Sequence, residues 1–115
     1  MRLLEISKKE KKNGDYMTSK YLNNIGFCYL QLNQYYNSVN YYLESLELLQ
    51  KQKEENQNLT NQKNQALLYL YINYQLLGDK QNAEQYRSED PLLQKQAESE
   101  IFIFNKEKQK QNDCY

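Results

Sequence analysis

The sequence predicts an all-α fold in which antiparallel helix-turn-helix repeats pack side by side and a C-terminal helix caps the last repeat. Three observations support this fold class. Apolar residues recur three and four positions apart, which is the spacing of one helix face. The 115 residues contain only three Gly and one Pro, too few for the many turns of a β-sandwich or barrel. The third observation is an internal repeat.

The repeat is visible when the chain is compared with itself at an offset of 45 residues. Apolar and aromatic positions then coincide: Leu22, Ile25, Phe27, Tyr29 and Leu32 align with Leu67, Leu70, Ile72, Tyr74 and Leu77. The match continues beyond a turn, where Asn37, Ser38 and Tyr41 align with Asn82, Ala83 and Tyr86. Each unit is therefore predicted to be an antiparallel pair of helices.

We expect a single domain over residues 1–115, because a chain of this length forms one hydrophobic core. Residues 1–12 resemble the end of a partial repeat, since Leu3 and Leu4 align with Leu48 and Leu49. Repeat one is predicted over 18–57, repeat two over 61–90 and the C-terminal helix over 91–112. The helices within the repeats are predicted over 18–32, 35–55, 61–77 and 80–88.

Local signals mark the ends of these helices. Asn33-Gln34 and Gly78-Asp79 are predicted to be the turns of the two hairpins, and Gly78 suits the left-handed conformation that ends a helix. Asp90 is a favourable N-cap, and Pro91 after it suits the first position of a helix. The last helix is therefore expected to begin at Pro91.

Small residues in the first unit stand where its two helices would approach closely. The unit contains Leu22-x-x-Ile25-Gly26-x-x-Tyr29 and then Ser38-x-x-x-Tyr42. This pattern resembles the tetratricopeptide repeat, an antiparallel helical hairpin that stacks into α-solenoids. Gly26 would permit a contact between helices that a side chain blocks.

The second unit matches the tetratricopeptide pattern less completely. Tyr71 and Arg87 stand where the first unit has Gly26 and Tyr42, although Leu77-Gly78-Asp79 is typical of the family's inter-helix turn. A period of 45 exceeds the family's usual length of about 34 and falls in the range of HEAT and armadillo repeats. We prefer the tetratricopeptide interpretation, because the extra length lies in the charged segment 51–57. Long-period repeats of the kinesin light chain type are similar.

The resemblance implies a concave groove, lined by the first helix of each repeat, that binds a peptide or helix of a partner protein. By helical phase, the predicted partner-binding residues are Asn23, Asn24, Phe27, Gln31, Leu68, Tyr69, Ile72 and Gln75. Asn side chains suit a peptide backbone, because each offers two donors and an acceptor. The alternative is that the apolar members of this set pack against neighbouring repeats and the amides face water.

A second hypothesis is a structural subunit or truncated array that docks by its ends within a larger complex. Two repeats are fewer than the three usually needed for stability, so exposed ends are expected to self-associate or to be covered. One helix face that could provide such a cover is formed by Leu92, Leu93, Ala97, Ile101 and Phe104, which have helical spacing.

Composition argues against other functions. Fifteen basic and fifteen acidic residues give no net field toward nucleic acid or an anionic membrane. The sequence has no His and no Gly-rich phosphate loop, so we expect no enzyme, no metal site and no cofactor. Cys28 and Cys114 give no disulfide framework, and the longest apolar run, 66–72, is too short to cross a bilayer. We therefore expect a cytoplasmic protein.

Overall fold

A computed structural model describes residues 11–52 and 56–113, and this part of the chain is all-helical, without strands. Five helices follow one another in it: α1 (Lys11–Gln31), α2 (Tyr35–Gln50), α3 (Gln57–Leu76), α4 (Lys80–Gln85) and α5 (Pro91–Asp113). The all-α prediction is confirmed. The predicted partial repeat over 1–12 lies outside the described residues, apart from Lys11 and Lys12, which begin α1.

Several predicted helix ends are displaced. Helix α1 begins at Lys11 instead of residue 18, so Gly14 lies within the helix. Helix α2 ends at Gln50 instead of residue 55. Helix α3 begins four residues earlier than predicted, because the Asn56 side chain accepts a hydrogen bond from the backbone N of Leu59 at 3.0 Å and caps the helix. Helix α4 ends at Gln85 instead of residue 88.

Helices α1 and α2 form an antiparallel hairpin. The Ser19 and Ser45 hydroxyls each donate to the other residue's backbone carbonyl, at 3.5 and 3.1 Å, near the open end of the hairpin. Near its turn, the Ser38 hydroxyl donates to the Gly26 carbonyl at 2.7 Å. Side chains this small let the two backbones approach closely, as the sequence predicts.

Helix α3 occupies the middle of the fold, because it contacts each of the other four helices. Two clusters of buried side chains hold it there. One joins α2 to α3 through Val39, Tyr42, Leu46, Ala66 and Leu70. The other brings Leu68, Tyr71 and Ile72 of α3 together with Leu30, Tyr35, Ala83 and Ala97. Ile101 and Phe104 of α5 pack against this second cluster, whereas Leu92 is exposed.

The turns after α1 and α3, which correspond to each other at an offset of 45 residues, have the same backbone geometry. Asn33 and Gly78 both have a positive φ, 62° and 78° respectively. The backbone N of the next residue returns to the helix in both turns, from Gln34 to the Tyr29 carbonyl and from Asp79 to the Tyr74 carbonyl, each at 2.9 Å. Both predicted turns are confirmed.

Aromatic pairs follow the turns in the same way. Tyr29 stacks on Tyr41 with ring centroids 5.4 Å apart, and Tyr74 stacks on Tyr86 at 5.8 Å. Tyr74 lies 45 positions after Tyr29, and Tyr86 lies 45 positions after Tyr41. The tyrosine stack beside the first turn therefore has an equivalent beside the second.

The start of α5 agrees with the prediction. The Asp90 carboxylate accepts a hydrogen bond from the backbone N of Leu92 at 2.9 Å, and Pro91 is the first helical residue. None of the helices in residues 11–52 and 56–113 combines the length and the apolar character needed to span a membrane.

Candidate functional site

The eight predicted partner-binding residues have different degrees of exposure. Asn24, Phe27 and Gln31 are exposed, and Tyr69 and Gln75 are half-buried. Asn23, Leu68 and Ile72 are buried. Helical phase assigned all eight to one surface, but the neighbouring helices leave only part of that surface open.

The three buried residues serve packing between helices. The Asn23 amide nitrogen donates to the side-chain oxygen of Gln62 at 2.8 Å, which links α1 to α3. Leu68 and Ile72 belong to the core cluster that includes Ala97 of α5. The sequence left open that Leu68 and Ile72 pack against other helices, and they do so here. Asn23 was expected to be exposed, and its burial corrects that expectation. A partner cannot reach these side chains in this fold.

The exposed residues form a row along α1. Asn24, Phe27 and Gln31 are three and four positions apart, so they lie on one side of the helix. We call this row the amide–aromatic face. The Phe27 ring remains 36% exposed and meets the Tyr69 ring edge to face, with centroids 5.5 Å apart and an interplanar angle of 69°. The face therefore continues from α1 onto α3.

Tyr69 connects this face to the rest of the fold. Its ring stacks on Tyr42 of α2 with centroids 5.5 Å apart. Its hydroxyl donates to the Glu100 carboxylate of α5 at 3.0 Å. Four helices thus fix the ring against which Phe27 rests, because α1, α2 and α5 all contact it on α3.

Glu100 is the residue of this site that the sequence analysis missed. It lies in a charged stretch of the sequence, and nothing in that pattern distinguishes it from solvated glutamates such as Glu98. Its second carboxylate oxygen is buried and has no hydrogen-bonding partner among the described residues. Only the packing of α5 on α3 brings the carboxylate to Tyr69.

Burial controls the ionisation of this pair. Burial raises the pKa of the Glu100 carboxyl, and the hydrogen bond from Tyr69 opposes part of the shift. The pKa of the Tyr69 phenol is raised mainly by burial and, to a smaller extent, by the nearby charge of Glu100. Tyr69 therefore keeps its proton at neutral pH and acts as the donor.

Gln75 is engaged within its own helix. Its amide nitrogen donates to the Tyr71 hydroxyl at 3.1 Å, one helical turn earlier. Tyr71 occupies the position where the first unit has Gly26, and its side chain is buried. Gln75 therefore supports the aromatic residue that departs from the tetratricopeptide pattern.

The described residues contain no metal-ligand cluster, and they line several surface cavities. No three Asp, Glu or Cys residues come close enough together to hold a metal ion within that part of the chain. A cavity of about 120 Å³ lies against Leu67, Tyr86 and Leu93. Two wider surface cavities, of about 260 and 450 Å³, lie on α2 and α5 respectively; the first is lined by Asn37, Asn40, Tyr41 and Glu44, and the second by Lys95, Glu98, Ser99, Phe102 and Ile103.

A second exposed row on α1 is apolar. It comprises Met17, Tyr21, Ile25, Cys28 and Leu32, and we call it the α1 edge. On α5, Phe102 and Ile103 are also exposed. The α1 edge lies beside the amide–aromatic face on the same helix, because Cys28 is one turn from Asn24, whereas Ile25 and Phe27 point roughly 160° apart.

No protein-family model matches the chain, and no curated protein or solved structure matches it either.

Proposed function

We propose that this chain is a protein-interaction scaffold, built from tetratricopeptide-like helical repeats, that binds a peptide or helix of a partner protein through the amide–aromatic face. The observation that carries this proposal is the exposed Phe27 ring, which rests on Tyr69 between the amides of Asn24 and Gln31. An aromatic ring held by packing can bury area with little loss of side-chain freedom. The flanking amides can pair with a peptide backbone.

The repeat part of the proposal rests on the equivalences at an offset of 45 residues. The turn geometry at Asn33 and Gly78, and the stacked pairs Tyr29–Tyr41 and Tyr74–Tyr86, support two units of one kind. The close contact of Gly26 with α2 supports the tetratricopeptide type. Helix α5 would then be a capping helix.

The proposed mode of action is binding without catalysis, in the cytoplasm. The sequence contains no His, and one oxygen of the Glu100 carboxylate accepts a hydrogen bond from Tyr69. Cys28 is an exposed free thiol, which suits a reducing compartment.

The test is a selection of peptides from a display library against the full chain, followed by titration of the strongest binders. We expect Phe27→Ala to weaken binding at least tenfold, because truncating a buried aromatic anchor costs about 2 kcal/mol or more and a tenfold change corresponds to about 1.4 kcal/mol. Asn24→Ala should weaken it less, and Asn40→Ala should not, since Asn40 is exposed on α2. Circular dichroism would check that each variant keeps its fold. Binders that tolerate Phe27→Ala would contradict the proposal.

A second candidate function is a structural subunit that docks by its ends. The observation in its favour is the α1 edge, where Tyr21, Ile25 and Leu32 expose apolar surface beside the amide–aromatic face. Sedimentation of the full chain would test self-association by this route, and Ile25→Glu would be expected to abolish it.

A further inference from the structure

The α1 edge has a covered counterpart within the same fold. At the 45-residue offset, Tyr21, Ile25 and Cys28 correspond to Ala66, Leu70 and Asn73 on α3, and Leu32 corresponds to Leu77, which follows α3. Ile25 is 36% exposed, whereas Leu70 is completely buried. Asn73 is also fully buried, whereas Cys28 is exposed. The same side of the helix is thus open on α1 and closed on α3.

Helix α2 is what closes this side of α3. Ala66 and Leu70 are clustered with Val39, Tyr42 and Leu46, which are spaced three and four residues apart along α2. The Asn73 amide nitrogen donates to the Ser38 hydroxyl at 2.9 Å. Because Ser38 meets Asn73 and Tyr42 meets Tyr69, α2 runs antiparallel to α3.

We propose that the α1 edge binds an amphipathic helix of another polypeptide, which lies on α1 as α2 lies on α3. This inference rests on the second candidate function, docking by the ends, and narrows it to a helix of a different polypeptide instead of a second copy of this chain. The incoming helix runs antiparallel to α1 and presents apolar residues at the positions of Val39, Tyr42 and Leu46. A small polar residue at the position of Ser38 faces Cys28, because Cys28 is the counterpart of Asn73.

One difference between the α1 edge and its counterpart on α3 further specifies the incoming helix. Tyr21 stands where α3 has Ala66, so the α1 edge is bulkier at that point. In the antiparallel register, Tyr21 lies near the position of Leu46. A partner residue smaller than Leu is therefore expected there, because overpacking a close contact is unfavourable.

Disulfide trapping tests this register directly. The probe is a synthetic peptide of residues 35–50 with Ser38→Cys, and the protein is the full chain with Cys114→Ser, so that Cys28 is its one thiol. Both are mixed in a buffer of reduced and oxidised glutathione. The oxidised glutathione takes up the two electrons released when the disulfide forms. The matched control peptide carries Asn40→Cys, a position exposed on α2.

We expect the Ser38→Cys peptide to cross-link at least about tenfold more than the Asn40→Cys peptide, because docking raises the effective concentration of its thiol beside Cys28. Ile25→Glu in the protein should reduce cross-linking to the control level. A Ser38→Cys peptide that also carries Leu46→Ala should cross-link more than its parent. Equal cross-linking of the Ser38→Cys and Asn40→Cys peptides would overturn the proposal.

Two further outcomes would show that something else covers the α1 edge, and each would also overturn the proposal. If Cys28 resists a thiol reagent in the monomeric chain, the chain itself covers the edge. If sedimentation shows dimers that Ile25→Glu dissociates, a second copy covers it. Phe27→Ala should leave cross-linking unchanged, and Ile25→Glu should leave the binding of library peptides unchanged. The two proposals can therefore fail separately.

Discussion

The Tyr42 ring lies directly against the backbone of Gly26, so that a Cβ atom at residue 26 would be only 2.8 Å from the ring carbon Cε2. Tyr42 is 1% exposed and is also stacked on Tyr69. The ring therefore has no free space into which it can move. Gly26 sets the distance between α1 and α2, and through Tyr42 it also affects the position of α3.

Gly26→Ala is expected to destabilise the fold by about 1–2 kcal/mol, although Gly to Ala within a helix would otherwise stabilise it by roughly 1 kcal/mol. The clash with Tyr42 outweighs the gain in helix propensity. Urea unfolding would measure the change in the free energy of unfolding. In a Tyr42→Leu background the penalty should disappear, and a penalty that persists there would show that the clash is not its cause.

The turns at Asn33 and Gly78 should respond to substitution through backbone conformation alone. A Cβ atom at Gly78 would meet nothing within 4 Å, yet φ there is 78°. Gly78→Ala is therefore expected to cost about 1 kcal/mol, because the left-handed region disfavours a Cβ atom. Gly78→Asn should cost clearly less, since Asn33 occupies the same conformation in the first turn. Equal losses for Ala and Asn, measured by urea unfolding, would contradict this explanation.

The two turns differ in how they cap the next helix. The Asp79 carboxylate accepts from the backbone N of Asn82 at 3.2 Å, whereas Gln34, its counterpart, makes no such side-chain bond. Both side chains accept from the amide of the following Asn, Gln34 from Asn37 and Asp79 from Asn82. Gln34→Asp should therefore keep that bond and add the cap.

We expect Gln34→Asp to stabilise the fold by about 0.5–1 kcal/mol, the usual value of an N-cap. The reciprocal change, Asp79→Gln, should destabilise it by a similar amount. Thermal unfolding of the two variants and the unchanged chain gives the comparison. A Gln34→Asp variant that melts at the original temperature would show that the first turn cannot adopt the geometry of the second.

The Glu100 carboxyl predicts a dependence of stability on pH. Burial raises its pKa in the folded chain, so the folded state holds this proton more tightly than the unfolded chain does. The resulting stabilisation is complete below the ordinary value of 4.5 and is lost as the pH rises through the raised value. Above that value the buried negative charge is unfavourable.

Glu100→Gln should therefore melt at a higher temperature than the unchanged chain at neutral pH, and the difference should shrink as the pH falls toward 4.5. The amide oxygen still accepts the hydrogen bond from Tyr69. Glu98→Gln on the same helix is the matched control, because Glu98 is exposed. If both variants show the same pH profile, net charge and not burial would be responsible.

Much of the fold could be predicted because its signals are local. Asn33, Gly78 and Asp90 mark their turns and caps through their own conformation and hydrogen bonds. The helix ends at Lys11 and Gln50 could not be placed in the same way. Gly14 and the polar residues beyond Gln50 are compatible with either helix or coil, and periodicity does not separate these states.

The candidate site was harder to predict, because exposure depends on distant parts of the chain. Asn23 and Asn24 are adjacent residues of the same type, and a rotation of 100° about the helix axis puts one against Gln62 and the other in solvent. Ile72 is buried in the cluster on which Ile101 and Phe104 of α5 pack. Neither fact can be derived without knowing how α3 and α5 are placed.

The central place of α3 has a kinetic consequence. Because α3 contacts every other helix and contributes to both core clusters, residues 66–73 cannot leave the helix without separating those clusters. Their backbone amides should therefore exchange with solvent deuterium only when the whole domain unfolds. Helix α4 is six residues long and buries only Ala83, so its amides are expected to exchange faster, through local opening. The slowest amides of α3 would then report the global free energy of unfolding from the native state, without denaturant.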